Sequence, residues 1–174
     1  RPIEEHQQDI GTALYPEEDL AEYIVTFPAD AALPPLYLVF RKTARDESGV
    51  VTGNGEDITG IWLEKAGEGL GAPIPSQVAD KLRGKEFSSF DAFREAFWSA
   101  VAEDSSLLSQ FSRSNQRLIN RGCAPFTFPE EQVGGRQRYE VHHKEEIQHG
   151  GKVYDVENLC VVTPKRHIDI HRGS

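Results

Sequence analysis

Four histidines and one asparagine near the C-terminus restrict this chain more than any other feature. Glu140-Val141-His142-His143 is followed by Asn158, His167 and His171, giving the spacing H-H-x14-N-x8-H-x3-H. The stretch that carries them, Tyr139 to Gly173, is too short to be a domain alone, but its turn residues divide it clearly. Arg136 to Ile147 reads as a strand, Gly150-Gly151 as a turn, and Lys152 to Val162 as the returning strand. Thr163 can cap a last helix whose first position is Pro164, where a missing N–H costs nothing. Strand, turn, strand and helix in that order can close around one divalent metal ion.

The residue types explain the chemistry. His167 and His171, four apart on a helix, present both rings on one face, roughly 6 Å apart at the backbone. Such a pair is half of a site for a borderline cation, and His142 on the strand pair supplies a third nitrogen. Three protein ligands leave positions open for water or substrate, unlike a closed structural site. Zinc or nickel suits three imidazoles for tight binding; magnesium prefers oxygen but is possible in activity. His143 is then the imidazole outside the ligand set. Its reference pKa near ~6.5 lets it take a proton from water at neutral pH. Adjacent residues on a regular strand face opposite ways, so the strand must end, bulge or twist if both rings are to serve one site.

Other residues nearby allow more than one reading. Asn158 is expected to hold a loop by bonding backbone groups, fixing the return strand against His142-His143. Glu140 could be a ligand, a surface charge or the group that orients a neighbouring ring; the last is favoured. Lys165 and Arg166 lie in the first helical turn, where cations oppose the helix dipole. Contact with phosphate would explain them; so would plain solvation. His6 and His149 are read as surface residues. Cys123 and Cys160, without any CxxC, are read as two unpaired thiols rather than a disulfide or metal ligands.

The whole chain has 174 residues and is 38% apolar, with two Trp, nine Phe and five Tyr, enough to bury one core. It begins at Arg1, so we expect a piece excised from something longer. No window approaches a transmembrane span. Net charge is −9, divided as −5 over residues 1–44, −6 over 45–111 and +2 over 112–174. Only the histidine-bearing third is basic, where a nucleic-acid enzyme needs its positive field. The acidic remainder argues against a large non-specific DNA grip.

Residues 1–44 are expected to be the end of a preceding module, with strands at Tyr23–Phe27 and Leu36–Phe40. Lys42 to Asp57, polar and containing Gly49, Gly53 and Gly55, reads as a linker or exposed arm. A short helix is expected around Ile61-Trp62-Leu63, an extended segment at Pro73 and Pro75, and a helix over Ser76–Arg83 ended by Gly84. Ser88-x-x-Asp91 reads as a helix start, ahead of Phe90, Phe93, Phe97 and Val101 on one face with Trp98 beside them. Core packing explains that aromatic stripe. A further helix is expected from Ser105 to Arg121, broken near Ser112 and closed by Gly122, before a loop at 123–135.

From about Arg45 to Gly173 the sequence closely resembles the DNase domains of the S-type pyocins and E-group colicins, which are HNH (ββα-metal) nucleases. The resemblance is carried by Gly71-Ala72-Pro73-Ile74-Pro75, by Glu140-Val141-His142-His143 and by Thr163-Pro164-Lys165-Arg166-His167-Ile168-Asp169-Ile170-His171. It implies an α+β fold: a mostly helical body with a C-terminal ββα-metal finger, preceded by a short β-rich remnant of another module. The implied division is 1–44 for the end of a pyocin-type translocation module and 45–174 for the HNH DNase domain. It implies metal ligation by His142, His167 and His171 and general-base work by His143, with Glu140 and Arg136 in support and Arg45 stabilising the phosphate. Cleavage would be largely non-specific on double-stranded DNA, leaving 3′-hydroxyl and 5′-phosphate ends, with the backbone read through a bent minor groove.

The resemblance also implies a small acidic immunity protein, bound beside the active site on an exosite spanning about Ser112 to Arg138. Asn115 and Phe126 would belong to it, with Arg94 from the preceding helix. Cys123 departs from the aromatic residue common there in the E-group colicins, and the nuclease region lacks their strong basic charge. Release from a producing bacterium and action in the target cell's cytoplasm are implied, with an outer-membrane receptor and import machinery engaged through modules absent here. Two other readings compete: an HNH nuclease of repair or of a mobile element, and a non-catalytic metal-stapled binding module. A spare imidazole at His143 has no use in a pure staple.

Overall fold

The computed structural model describes residues 22–25, 36–39, 44–147 and 150–173. His6, His149 and most of the expected preceding module lie outside the described residues. In chain order the elements are β1 (Glu22–Val25), β2 (Leu36–Val39), β3 (Gly49–Val50), β4 (Ala72–Pro73), α1 (Ser76–Leu82), β5 (Glu86–Phe87), α2 (Phe90–Ala102), α3 (Ser105–Leu108), α4 (Arg113–Asn120), β6 (Glu140–His143), β7 (Leu159–Val162) and α5 (Pro164–Arg172). Helices and short strands mix as expected for an α+β chain. The expected strands in 1–44 are there in their described parts, β1 and β2, paired antiparallel with Tyr23 opposite Leu38; Phe27 and Phe40 lie outside.

The core is the aromatic stripe of α2. Phe90, Phe93 and Phe97 are wholly buried, and Trp98 nearly so. Burying each such side chain contributes about 1.5–3 kcal/mol. Trp62, in a 3-10 turn at Trp62–Lys65, joins them with its ring 5.9 Å from Trp98 and 6.1 Å from Phe97. The N-cap of α2 is Ser89, whose hydroxyl accepts from Ala92 N, not the expected Ser88. A Ser-Ser pair gives two candidate registers, and burial of Phe90 selects the second.

The expected helix from Ser105 to Arg121 is two helices. Asp104 caps α3 and Ser112 caps α4, each side chain accepting a backbone N–H in the first turn. Gly122 closes α4 at φ +78°, where a side chain would crowd Glu95.

The segment expected as a linker or arm is instead bound into the fold from Ala44 onward. β3 pairs with β5, Val51 is 1% exposed, and Glu157 Oε1 accepts from Asn54 N and Gly55 N. Its partners lie up to 107 residues away, so no local signal revealed them.

The expected long strands at 136–147 and 152–162 shrink to the four residues each of β6 and β7. β7 is the centre of a three-stranded sheet, with β6 on one side and β4 on the other. Central position explains why all four of its residues are buried. Residues either side of the strands do other work: Val156–Asn158 forms a 3-10 turn, and the loop after His143 folds back on Asn158. α5 follows as the sequence implies, with Pro164 at its first position and the Thr163 hydroxyl accepting from Arg166 N.

Candidate metal centre

β6 and α5 bring three rings together. His142 stands on β6 opposite Cys160, and its ring lies 4.7 Å from that of His167 and 5.4 Å from that of His171. The two helical rings are 4.9 Å apart. One ligand nitrogen from each of the three lies within 4.8 Å of the other two.

Both ring nitrogens of His142 and Nε2 of His167 are buried without a hydrogen-bond partner among the described residues. Leaving such groups unsatisfied costs about 1–3 kcal/mol each. Their convergence makes sense if a cation satisfies them together, so the donor set fits a divalent metal ion. Burial and the neighbouring His167 and His171 push the His142 pKa down to about 3. The ring is therefore neutral at physiological pH, with a lone pair to give.

Carboxylates fix two of the rings. Glu140 Oε1 accepts from Nδ1–H of His167 at 2.8 Å, and Glu146 Oε1 accepts from Nδ1–H of His171 at 3.0 Å. Each bond turns Nε2 of its ring toward the shared centre. Arg136 grips Glu140 with Nε at 2.9 Å and a second nitrogen at 2.5 Å. The guanidinium also lies 3.3 Å from His167 Nδ1, but two donors do not bond each other, so Glu140 takes both. Burial raises the Glu140 pKa, yet the bonds from His167 and Arg136 prevail and hold it at about 2.

β6 ends on His143, which is outside the convergent triad. Its ring is 1% exposed and packs 4.8 Å from Phe90. Nε2 meets the Val153 carbonyl at 3.1 Å. A carbonyl only accepts, so the proton sits on Nε2 and the lone pair on Nδ1. Arg45, also largely buried, lies with its guanidinium 5.3 Å from the same Phe90 ring.

Asn158 clasps the loop that follows. Its Oδ1 accepts from Glu145 N at 2.8 Å, and its Nδ2 donates to Glu145 O at 3.1 Å and Lys152 O at 3.0 Å. Lys165 is exposed on α5. Arg166 is committed in part to structure, its Nε donating to Gly69 O at 2.7 Å.

A family model described as Colicin/Pyocin-S2, DNase domain matches residues 49–172. The chain belongs to this DNase-domain family. It is 50% identical to Pyocin-S1 of Pseudomonas aeruginosa over 90% of its own length and 25% of that protein's. Colicin-E2 of Escherichia coli is 53% identical over 72% of this chain and 22% of the colicin. The chain thus spans about a quarter of the length of these curated relatives. Among solved structures, the DNase of the pyocin AP41 DNase–immunity complex is 50% identical with a TM-score of 0.71, covering 74% of this chain and all of that one.

The DNase-domain residues suspected of forming an exosite fall outside the triad. Asn115 bonds both backbone groups of Phe126, accepting from its N–H at 3.0 Å and donating to its carbonyl at 3.1 Å. This presents the Phe126 ring, 41% exposed, with the Arg138 guanidinium 4.9 Å above it. Asn115 and Phe126 border a groove of about 610 Å³ with Ile61, Phe128 and Tyr139. Arg94 pairs with Asp91 and borders a second cleft beside Cys123 and Tyr139. Both cysteines are free thiols. Glu146 is the site residue the sequence did not reveal: it lies outside the H-H-N-H-H pattern, in a loop where a Glu-Glu pair reads as surface.

Proposed function

We propose that residues 45–174 are the cytotoxic domain of a bacteriocin, a metal-dependent, non-specific DNA endonuclease held in check by an immunity protein, and that residues 1–44 end a translocation module. The observation that carries this is the pairing of two imidazole sets. Three rings converge from β6 and α5 within reach of one cation, and a fourth, His143, is locked by Val153 in the tautomer a base needs.

His142, His167 and His171 would hold the ion. A divalent cation, zinc or nickel for tight binding, would polarise the phosphate and stabilise the departing oxygen. Nδ1 of His143 accepts a proton from water as the water oxygen bonds to phosphorus. The bond from phosphorus to O3′ breaks, the bonding pair leaves on O3′, and a proton from solvent completes the 3′-hydroxyl, leaving a 5′-phosphate on the other end. Arg45, whose guanidinium packs on the same Phe90 ring that His143 touches, supplies positive charge to the bound phosphate. Glu140 and Arg136 keep His167 aimed, and Asn158 keeps the loop in register. Lys165, with the free edge of Arg166, meets the DNA backbone.

The producing cell would protect itself with an acidic protein docked on Phe126, Asn115 and Arg94. An immunity protein is the partner named for the AP41 pyocin DNase. The toxin would be released by its producer and act inside the target cell, entering through a receptor and import machinery engaged by other modules.

Digestion of supercoiled plasmid with wild type and His143→Ala, each with and without EDTA, tests the reading. Wild type nicks and linearises the plasmid, and EDTA stops it. His143→Ala still binds zinc by calorimetry but cuts about 100-fold to 10,000-fold more slowly. Full cutting by a zinc-competent His143→Ala protein removes His143 from the base role.

A further inference from the structure

We infer that Glu146 is a positioning residue for His171 and thereby sets the affinity of the metal centre. This rests on the metal-site reading above. His171 sits one residue from the end of α5, where helices fray and side chains gain freedom. His167, a turn earlier, is held by Glu140. Nδ1 of His171 is bonded from a separate element, the loop after β6, through Glu146 Oε1 at 3.0 Å. Both side chains are mostly shielded, at 15% and 18% exposure, so the bond is not diluted as a surface pair is.

The loop around Glu146 is itself anchored. Glu145 is gripped at both backbone groups by Asn158. The Glu146 carbonyl accepts from Gly151 N at 3.0 Å. The carboxylate is therefore presented from a braced backbone. A carboxylate on Nδ1–H keeps the proton off Nε2, sets the ring plane, and makes Nε2 a stronger donor to a cation. Glu146 is not among the convergent ligand set, so it acts through His171 and not on the ion. Glu145, its exposed neighbour, carries the same charge without that contact.

Zinc titration by calorimetry of the full metal-free chain, as wild type, Glu146→Ala, Glu146→Gln and Glu145→Gln, tests this. Loss of such a partner weakens metal affinity by ~10–100-fold, and that is expected for Glu146→Ala. Glu146→Gln keeps an acceptor but no charge and falls between Glu146→Ala and wild type. Glu145→Gln binds as wild type does. Imidazole nitrogen NMR on the same metal-free proteins reads the tautomer: Nδ1–H at His171 in wild type, a mixture with Nε2–H in Glu146→Ala. If Glu146→Ala is too unstable to titrate, the nearly isosteric Glu146→Gln decides. Wild-type affinity in the Glu146 variants, or an equal loss in Glu145→Gln, overturns the inference while leaving the metal site standing. Failure of the wild type to bind zinc sinks both.

Discussion

Replacing Glu140 by Gln isolates an energy that can be worked out from the site. The carboxylate accepts from His167 and Arg136, and its pKa falls from an ordinary 4.5 to about 2. At ~1.36 kcal/mol per tenfold change, the difference is roughly 3 kcal/mol favouring the folded metal-free chain at neutral pH. The side chain is 23% exposed, so screening trims this only modestly. The folded pKa lies below the unfolded one, so the stabilisation is complete above about 4.5 and is lost as pH falls toward 2. By pH 3 about 2 kcal/mol of it should be gone. Gln cannot ionise, so Glu140→Gln should lack this acid-dependent part while keeping an acceptor for His167. Urea unfolding of both metal-free proteins from pH 7 down to about 3 measures it. The wild-type advantage should shrink steadily below pH 4.5. Two curves that stay parallel across that range would refute the claim that the ionised carboxylate is held by these bonds.

Three further substitutions separate binding from support. Asn158→Ala removes three bonds to backbone groups. Each is worth about 1 kcal/mol, so unfolding stability should fall by roughly 2–3 kcal/mol; limited proteolysis should move to the 144–152 loop, and an unchanged cleavage pattern would argue that the loop is held by other contacts. Lys165→Ala, at an exposed position on α5, should lower the salt dependence of DNA binding by about one phosphate contact, a slope change near ~0.9. Binding titrations at several salt concentrations read this, with thermal stability unchanged. Arg166→Ala should lower thermal stability as well, because Arg166 ties α5 to Gly69.

The charge distribution bears on how tightly such a domain holds DNA. The basic third of the sequence coincides with β6, β7 and α5, but its excess is only two charges against eleven negative ones before it. On the proposed reading, steering toward DNA would fall to local cations such as Lys165 and Arg166 and not to the whole surface. A catalytic cation would add the missing positive charge where the phosphate must sit.

The sequence alone determined the chemistry of the centre, because that chemistry is written in local spacing. An i, i+4 histidine pair on a helix capped by Thr163-Pro164 must present two rings on one face, and the adjacent His142 and His143 at a strand end supply one ring to that set and one outside it. Those rules depend on backbone period alone. The aromatic stripe of α2 was legible for the same reason. Tertiary structure decided what no period encodes. It drew Ala44 to Asp57 into the body, because Val51 is buried in the core and the Glu157 carboxylate holds Asn54 and Gly55 from about a hundred residues away. It cut the finger strands to four residues, because only β7 has neighbours on both sides. It also placed Glu146 on His171: a carboxylate becomes a ring's anchor only when a separately folded loop, braced by Asn158, carries it across to the helix.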